Sequence, residues 1–307
     1  MSDKLCMFAG QGAQFPGMGK DFADDAEIAA LFARANEVIG FDIASLCFEG
    51  PAEELTKSNI CQPAIFTVSI AAFKAFQKKY PGVNFKVAAG LSLGEWSALH
   101  IAGVLDFDSA VKVLEARGRF MQEACDEQPS GMVSIMGASA EQLDELCAKG
   151  GISIANLNSD AQVVLSGVKS GVEIAAAAAA EMGLKAIVLN VAGAFHSPLM
   201  ASARTKLADV LCDIEFKKPA MPVLANVTGQ PHSDDPQRIK EAMLNQVTES
   251  VRWCDCMLTA KELGAADFIE FGPGKVLSGL LRRIDRSLNC ANVQDVDSLE
   301  RCASLAG

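Results

Sequence analysis

The sequence predicts an α/β fold on a mostly parallel sheet, with a small ferredoxin-like unit inserted in the middle. Two observations carry this. Short apolar runs that end in glycine, residues 5–10 and 85–90, alternate with longer stretches of helical periodicity. Between about 126 and 193 the rhythm changes to strand, helix, strand, strand, helix, strand, the order of the split βαβ unit. The 307 residues suffice for one large domain or two ordinary ones. Half of them are hydrophobic and only 21% charged, which excludes a disordered chain.

In order along the chain, residues 5–10 read as the first strand, and Gly10-Gln11-Gly12-Ala13-Gln14 as the loop at its carboxyl end. A dinucleotide fingerprint would need a third glycine where Phe15 stands. Such a loop can instead offer a backbone N–H to an oxyanion. Residues 63–79 set Ile65, Val68, Ala72 and Phe76 on one helical face, and 109–124 read as a second helix. In the inserted unit, 131–136 read as a strand, 139–149 as a capped helix, 151–155 and 162–166 as strands, 170–182 as an Ala-rich packed helix, and 184–189 as a strand. This places a subdomain at 126–193, flanked by 1–125 and 194–307. The polar residues 287–307 read as a loosely held tail.

The net charge of −11 is a poor field for nucleic acid or an anionic membrane, so any anionic ligand must be met by local positive groups. The ten cysteines are scattered and none forms CxxC; the close pair Cys254 and Cys256 lacks a second ligand pair, so no metal site is expected. Reduced thiols suit a cytoplasmic compartment, and a mature organelle protein would look the same. The start, Met1-Ser2-Asp3-Lys4, leads into an apolar run too short for a secretory core, and no stretch reads as long enough to span a membrane.

The strongest chemical signal is Gly90-Leu91-Ser92-Leu93-Gly94, after an apparent strand and before a helical stretch. That is the context of a nucleophile elbow, with Ser92 Oγ at a helix N-terminus where amides can stabilise an oxyanion. The bare pattern is common, and a structural glycine-rich turn would look alike. A nucleophilic serine needs a base, and three histidines are present. His100 lies two helical turns after Ser92 and reads as a packing or surface residue; His232, in the polar run 230–235, reads as solvated. His196 remains, in a small-residue loop after a strand, either as base or as a hydrogen-bonded loop residue. Arg117 and Arg119 share a helix; one pointing inward near Ser92 would bind a carboxylate bidentately.

Nine motifs in order resemble the malonyl-CoA:acyl carrier protein transacylase family, acyltransferases of type II fatty acid synthesis, over nearly the whole chain. They are Phe8-Ala9-Gly10-Gln11-Gly12-Ala13-Gln14, Gln62-Pro63-Ala64, Gly90-Leu91-Ser92-Leu93-Gly94-Glu95, Arg117-Gly118-Arg119-Phe120-Met121-Gln122, Asn156-Leu157-Asn158-Ser159, Ala194-Phe195-His196-Ser197-Pro198, Asn226-Val227-Thr228-Gly229, Gln246-Val247-Thr248 with Val251-Arg252-Trp253, and Phe271-Gly272-Pro273-Gly274-Lys275. The resemblance implies an α/β-hydrolase-like large domain with a ferredoxin-like subdomain inserted. It implies Ser92 as nucleophile and His196 as base, oriented by the main-chain carbonyl of Gln246 with no acidic third member. It implies an oxyanion hole from the Gln11 and Leu93 amides, Arg117 as holder of a malonyl carboxylate, and Gln62 and Asn158 lining the site. Leu91 departs from the histidine common before the nucleophile, and Phe195 matches the malonyl-selective pattern.

The implied reaction moves malonyl from malonyl-CoA to the phosphopantetheine thiol of acyl carrier protein through a malonyl-serine, with no metal or redox cofactor and no nucleic-acid or membrane partner. Acidic carriers would be repelled by the net charge, so Lys275, Arg282, Arg283 and Arg286 are expected to form a basic docking patch. Two rivals share Ser92: a serine esterase or thioesterase, and a non-catalytic carrier-binding scaffold.

Overall fold

The computed structural model describes residues 3–306; Met1 and Ser2, where the expected leaderless start lies, and Gly307 are outside the described residues. Among those described run eight strands: β1 Asp3–Phe8, β2 Phe85–Gly90, β3 Ser130–Met136, β4 Ser153–Ser159, β5 Gln162–Val168, β6 Lys185–Val188, β7 Ala265–Phe271 and β8 Asn289–Val293. The first sheet has the order β2-β1-β7-β8 and is parallel throughout.

Leu5, Cys6, Met7 and Phe8 form a continuous apolar run because β1 is buried on both faces. Alternate side chains serve opposite layers. Cys6 and Phe8 pack toward the helix Ser58–Lys79, whereas Leu5 and Met7 join Trp253, Met257 and Leu281 on the other side. The helix Ser58–Lys79 corrects one expectation: by length and composition it could cross a membrane. Its apolar window is 83% buried inside the protein, so it is apolar because it is the core.

The second sheet has the order β4-β5-β3-β6 with antiparallel pairing, and the helices Ala140–Gly150 and Lys169–Glu181 complete the ferredoxin-like unit. Ser139 and Gln142 form the capping box that starts the first of these helices. Ala175, Ala178 and Ala179 fill the unit's own core, so the alanine run is packed. Gly150 and Gly171 let the two helices touch; a Cβ at Gly171 would lie 2.2 Å from the Gly150 carbonyl oxygen. The two sheets are stitched together at Val251, which donates to the Ala155 carbonyl and accepts from the Leu157 amide, both at 2.8 Å.

Residues 287–307 are not a loose tail among those described. β8 pairs with β7, and Leu299 and Cys302 on and after the helix Val296–Arg301 are buried in the core. The polarity that suggested a tail belongs to an edge strand that is only half buried. The first strand also stops at Phe8, earlier than expected. Ala9 and Gly10 leave the sheet to bring the next residues over the elbow, and a Cβ at Gly10 would lie 2.6 Å from the Leu91 carbonyl oxygen.

Candidate active site

The turn between β2 and the helix Leu93–Ile101 is tight because two glycines are pressed against backbone. A Cβ at Gly90 would meet the Gly94 carbonyl at 2.0 Å, and one at Gly94 would meet the Phe8 carbonyl oxygen at 2.1 Å. Ser92 sits on this turn at φ 56°, and His196 is at φ 55°; they are the only described non-glycine residues with positive φ. Strain of this kind, roughly 1–3 kcal/mol each, persists only where the surroundings over-determine it.

Those surroundings can be traced. The Ser92 amide donates to Asn226 Oδ1 at 2.7 Å, and Asn226 Nδ2 donates to the Gly90 carbonyl at 2.8 Å. The Ser92 N–H is therefore spent on holding the elbow. The amides of Leu93, first residue of the helix, and of Gln11, in the loop after β1, donate to no protein acceptor among the described residues. These are the two donors that the family resemblance implies for an oxyanion hole.

His196 lies in a loop tied to the small sheet: the Ala194 amide donates to Ser130 Oγ, and Ser166 Oγ donates to the Phe195 carbonyl. Its Nε2 stands 2.8 Å from Ser92 Oγ and its Nδ1 2.7 Å from the Gln246 carbonyl oxygen. A carbonyl can only accept, so Nδ1 carries the proton and Nε2 is free to take one from Ser92. Burial, and after it the Arg117 charge, pushes the imidazole down to about 4, which keeps it neutral at pH 7.

Arg117 is buried on the helix Phe107–Glu127, where Gly118 permits close approach to the helix Ser58–Lys79; a Cβ there would lie 2.2 Å from the Ser58 carbonyl oxygen. Its Nη1 donates to Gln62 Oε1 at 2.6 Å, and its Nη2 donates to Ser92 Oγ at 3.1 Å and Gln246 Oε1 at 3.0 Å. Burial pushes it down to about 10, so it remains charged at pH 7. Its Nε is buried with no acceptor among the described residues. Arg119 points outward and pairs with Glu115 and Glu123.

The cleft in front of Ser92 has a volume of about 1020 Å³ and reaches from Gln11 and Lys57 to the small sheet. Phe195, His196, Met121, Met132 and Asn158 line it. Gln62 corrects an expectation: it is fully buried behind the wall, and its task is to hold Arg117. Asn158 Oδ1 is buried without a partner among the described residues. Of the four basic candidates, all exposed, Lys275 and Arg283 line the cleft, and Arg283 donates to Gln162 Oε1 across the gap between the two sheets; Arg282 and Arg286 do not line it.

His100 packs against Phe66 and Phe107, as one of its readings expected. His232 overturns the solvated reading. Its side chain is buried and its Nε2 lies 2.6 Å from Glu95 Oε1, because the turn folds back beneath the elbow. Glu95, Asn226 and His232 are the site residues that sequence reasoning missed. Asn226 and Glu95 stood inside quoted motifs, so their positions were visible while their contacts were not.

Fold and site together define a class. A family described as the acyl transferase domain matches residues 6–304. The malonyl CoA-acyl carrier protein transacylase of Bacillus subtilis (strain 168) is 41% identical, covering 98% of this chain and 96% of that protein. The transacylase structure from Clostridium perfringens superposes with a TM-score of 0.94 at 38% identity, covering 99% of this chain and 97% of that one. A malonyl-transacylase solved with a type II polyketide synthase acyl-carrier protein gives 0.94 at 38% identity, covering 99% and 100%. The chain belongs to the acyl transferase domain family and, within it, to the malonyl-CoA:acyl carrier protein transacylases.

Proposed function

We propose that the protein transfers malonyl from malonyl-CoA to the phosphopantetheine thiol of an acyl carrier protein, in fatty acid or polyketide biosynthesis. The observation that carries this is the buried Arg117 guanidinium touching the nucleophile Ser92, with its Nε unpartnered. A hydrolase of neutral acyl groups has no use for it, whereas a malonyl group brings the missing carboxylate.

His196 Nε2 takes the Ser92 proton as Oγ attacks the thioester carbonyl. The Oγ–C bond forms, and the carbonyl oxygen gathers charge between the Gln11 and Leu93 amides. The C–S bond then breaks, and the His196 proton goes to the CoA thiolate. In the second half the carrier thiol gives its proton to His196, its sulfur attacks the malonyl-serine ester, and Ser92 Oγ leaves with the proton. No step calls for a metal or redox cofactor. The Gln246 carbonyl supplies the orientation that an esterase takes from an acid.

In this reading residues 126–193 form the inserted subdomain between the two parts, 1–125 and 194–307, of the large one. Lys275 and Arg283 meet the carrier at the cleft, with Arg282 and Arg286 beside them. Ten free thiols suit a reducing, cytoplasmic setting. Steady-state kinetics with malonyl-CoA and a phosphopantetheinylated carrier test the reading. Parallel double-reciprocal lines are expected for the two-step exchange; release of free malonate as fast as transfer would support a hydrolase instead.

A further inference from the structure

Behind the nucleophile the protein buries a carboxylate that none of these steps uses. Glu95, in the first turn of the helix Leu93–Ile101, has its side chain 1% exposed, and among the described residues its ion-pair partner is His232. Its Oε1 accepts from His232 Nε2 at 2.6 Å and from the Asn226 amide at 3.3 Å, and its Oε2 accepts from Gln246 Nε2. The second hydrogen of that Gln246 amide goes to the Ser92 carbonyl at 3.0 Å. The Gln246 oxygen is thereby left facing Arg117 Nη2.

A glutamine amide can face either way. Reversed, Gln246 would set its NH2 against the guanidinium, donor to donor, and its oxygen against Glu95, acceptor to acceptor. An ionised carboxylate only accepts, so it permits one orientation. A neutral amide at position 95 removes that constraint and leaves only the guanidinium and the Ser92 carbonyl to set the orientation.

We propose that Glu95 is a positioning residue that locks the Gln246 side chain and, through it, aims the Arg117 guanidinium at the substrate carboxylate. This rests on the reading of Arg117 given above. His196 is held by the main-chain carbonyl of Gln246, not by its side chain. Loss of the Glu95 contact to Gln246 therefore falls first on recognition of malonyl, since the orientation of His196 does not depend on the Gln246 side chain.

Single-turnover acylation by malonyl-CoA, quenched and read by intact mass, tests this in wild type, Glu95→Gln and Glu95→Asp, each first checked for its fold by circular dichroism. Glu95→Gln should raise the half-saturating malonyl-CoA concentration roughly 10-fold while the limiting rate stays within about 2-fold, the mark of lost uniform binding. Glu95→Asp keeps the charge and should show the same split at about 3-fold; it alone decides if Glu95→Gln does not fold. A fall in limiting rate at unchanged half-saturation, or no change in either, overturns the proposal. Absence of any malonyl adduct on the wild type would overturn the reading beneath it as well.

Discussion

His196 and Arg117 are neighbours that must carry opposite assignments, one neutral and one charged, inside the same buried volume. Burial and then Arg117 hold the imidazole down to about 4 from its ordinary 6.5. The sign of the consequence follows: an unfolded chain takes up this proton near pH 6.5, the folded one only near 4. The folded state is therefore unpenalised above about pH 7, loses stability as pH falls from 6.5 to 4, and below that has lost on the order of 3 kcal/mol from this group. Urea melts of wild type and His196→Asn at pH 7 and pH 4 read this as a change in their difference. Once a substrate carboxylate neutralises Arg117, the imidazolium is less disfavoured. The acid limb of kcat should accordingly lie at higher pH than that of kcat/KM. Removing the guanidinium by Arg117→Ala should lower the preference for malonyl-CoA over acetyl-CoA by roughly 30-fold or more, as expected for truncating one partner of a buried charge pair. Equal acylation preference in that variant would refute the carboxylate role. At this scale Ser92 and His196 were legible, because a glycine-flanked serine and an otherwise idle loop histidine are local patterns. His232 was not, since its polar neighbours describe a turn and say nothing of the carboxylate that lies across from it.

At the scale of elements, the elbow works because β1, β2 and the helix Leu93–Ile101 approach at backbone distance. Gly94→Ala places a Cβ against the Phe8 carbonyl oxygen. Thermal or denaturant melts should show a loss of about 3 kcal/mol, with activity lost alongside. Gly279, exposed on the helix Val276–Ile284, has open space where a Cβ would go and no positive φ. Gly279→Ala should therefore gain roughly 0.5–1 kcal/mol from helix propensity. If both variants lost equal stability, the close approach at Gly94 would not be what shapes the turn. The ferredoxin-like unit was legible element by element, since its alternation and its Ser139 cap are short-range signals. Strand β8 was hidden because an edge strand carries little apolar pattern, and its pairing with β7 is a tertiary fact. The helix Ser58–Lys79 misled in another way: core burial and membrane burial select the same residues.

Across the whole molecule, the two sheets enclose the cleft, and each supplies what the other lacks. The parallel sheet presents Ser92 and the Gln11 and Leu93 amides, while the loop holding His196 is tied to the small sheet through Ser130 and Ser166. Motif order made this arrangement legible in outline, but not the link from Arg283 to Gln162 that bridges the gap. With a net charge of −11, the proposed docking of an acidic carrier rests on the exposed Lys275, Arg282, Arg283 and Arg286. Reversing charge at Arg282 and Arg283 together should weaken the apparent carrier affinity roughly 10-fold at low salt and less at high salt, with malonyl-CoA acylation retained. Unchanged carrier affinity would remove the patch. The central claim, that Ser92 carries the malonyl group between two thiols, is tested most directly by intact mass after mixing the protein with malonyl-CoA alone. One malonyl adduct is expected on the wild type, discharged on adding the carrier and missing in Ser92→Ala; no adduct, or an adduct that survives Ser92→Ala, would contradict it.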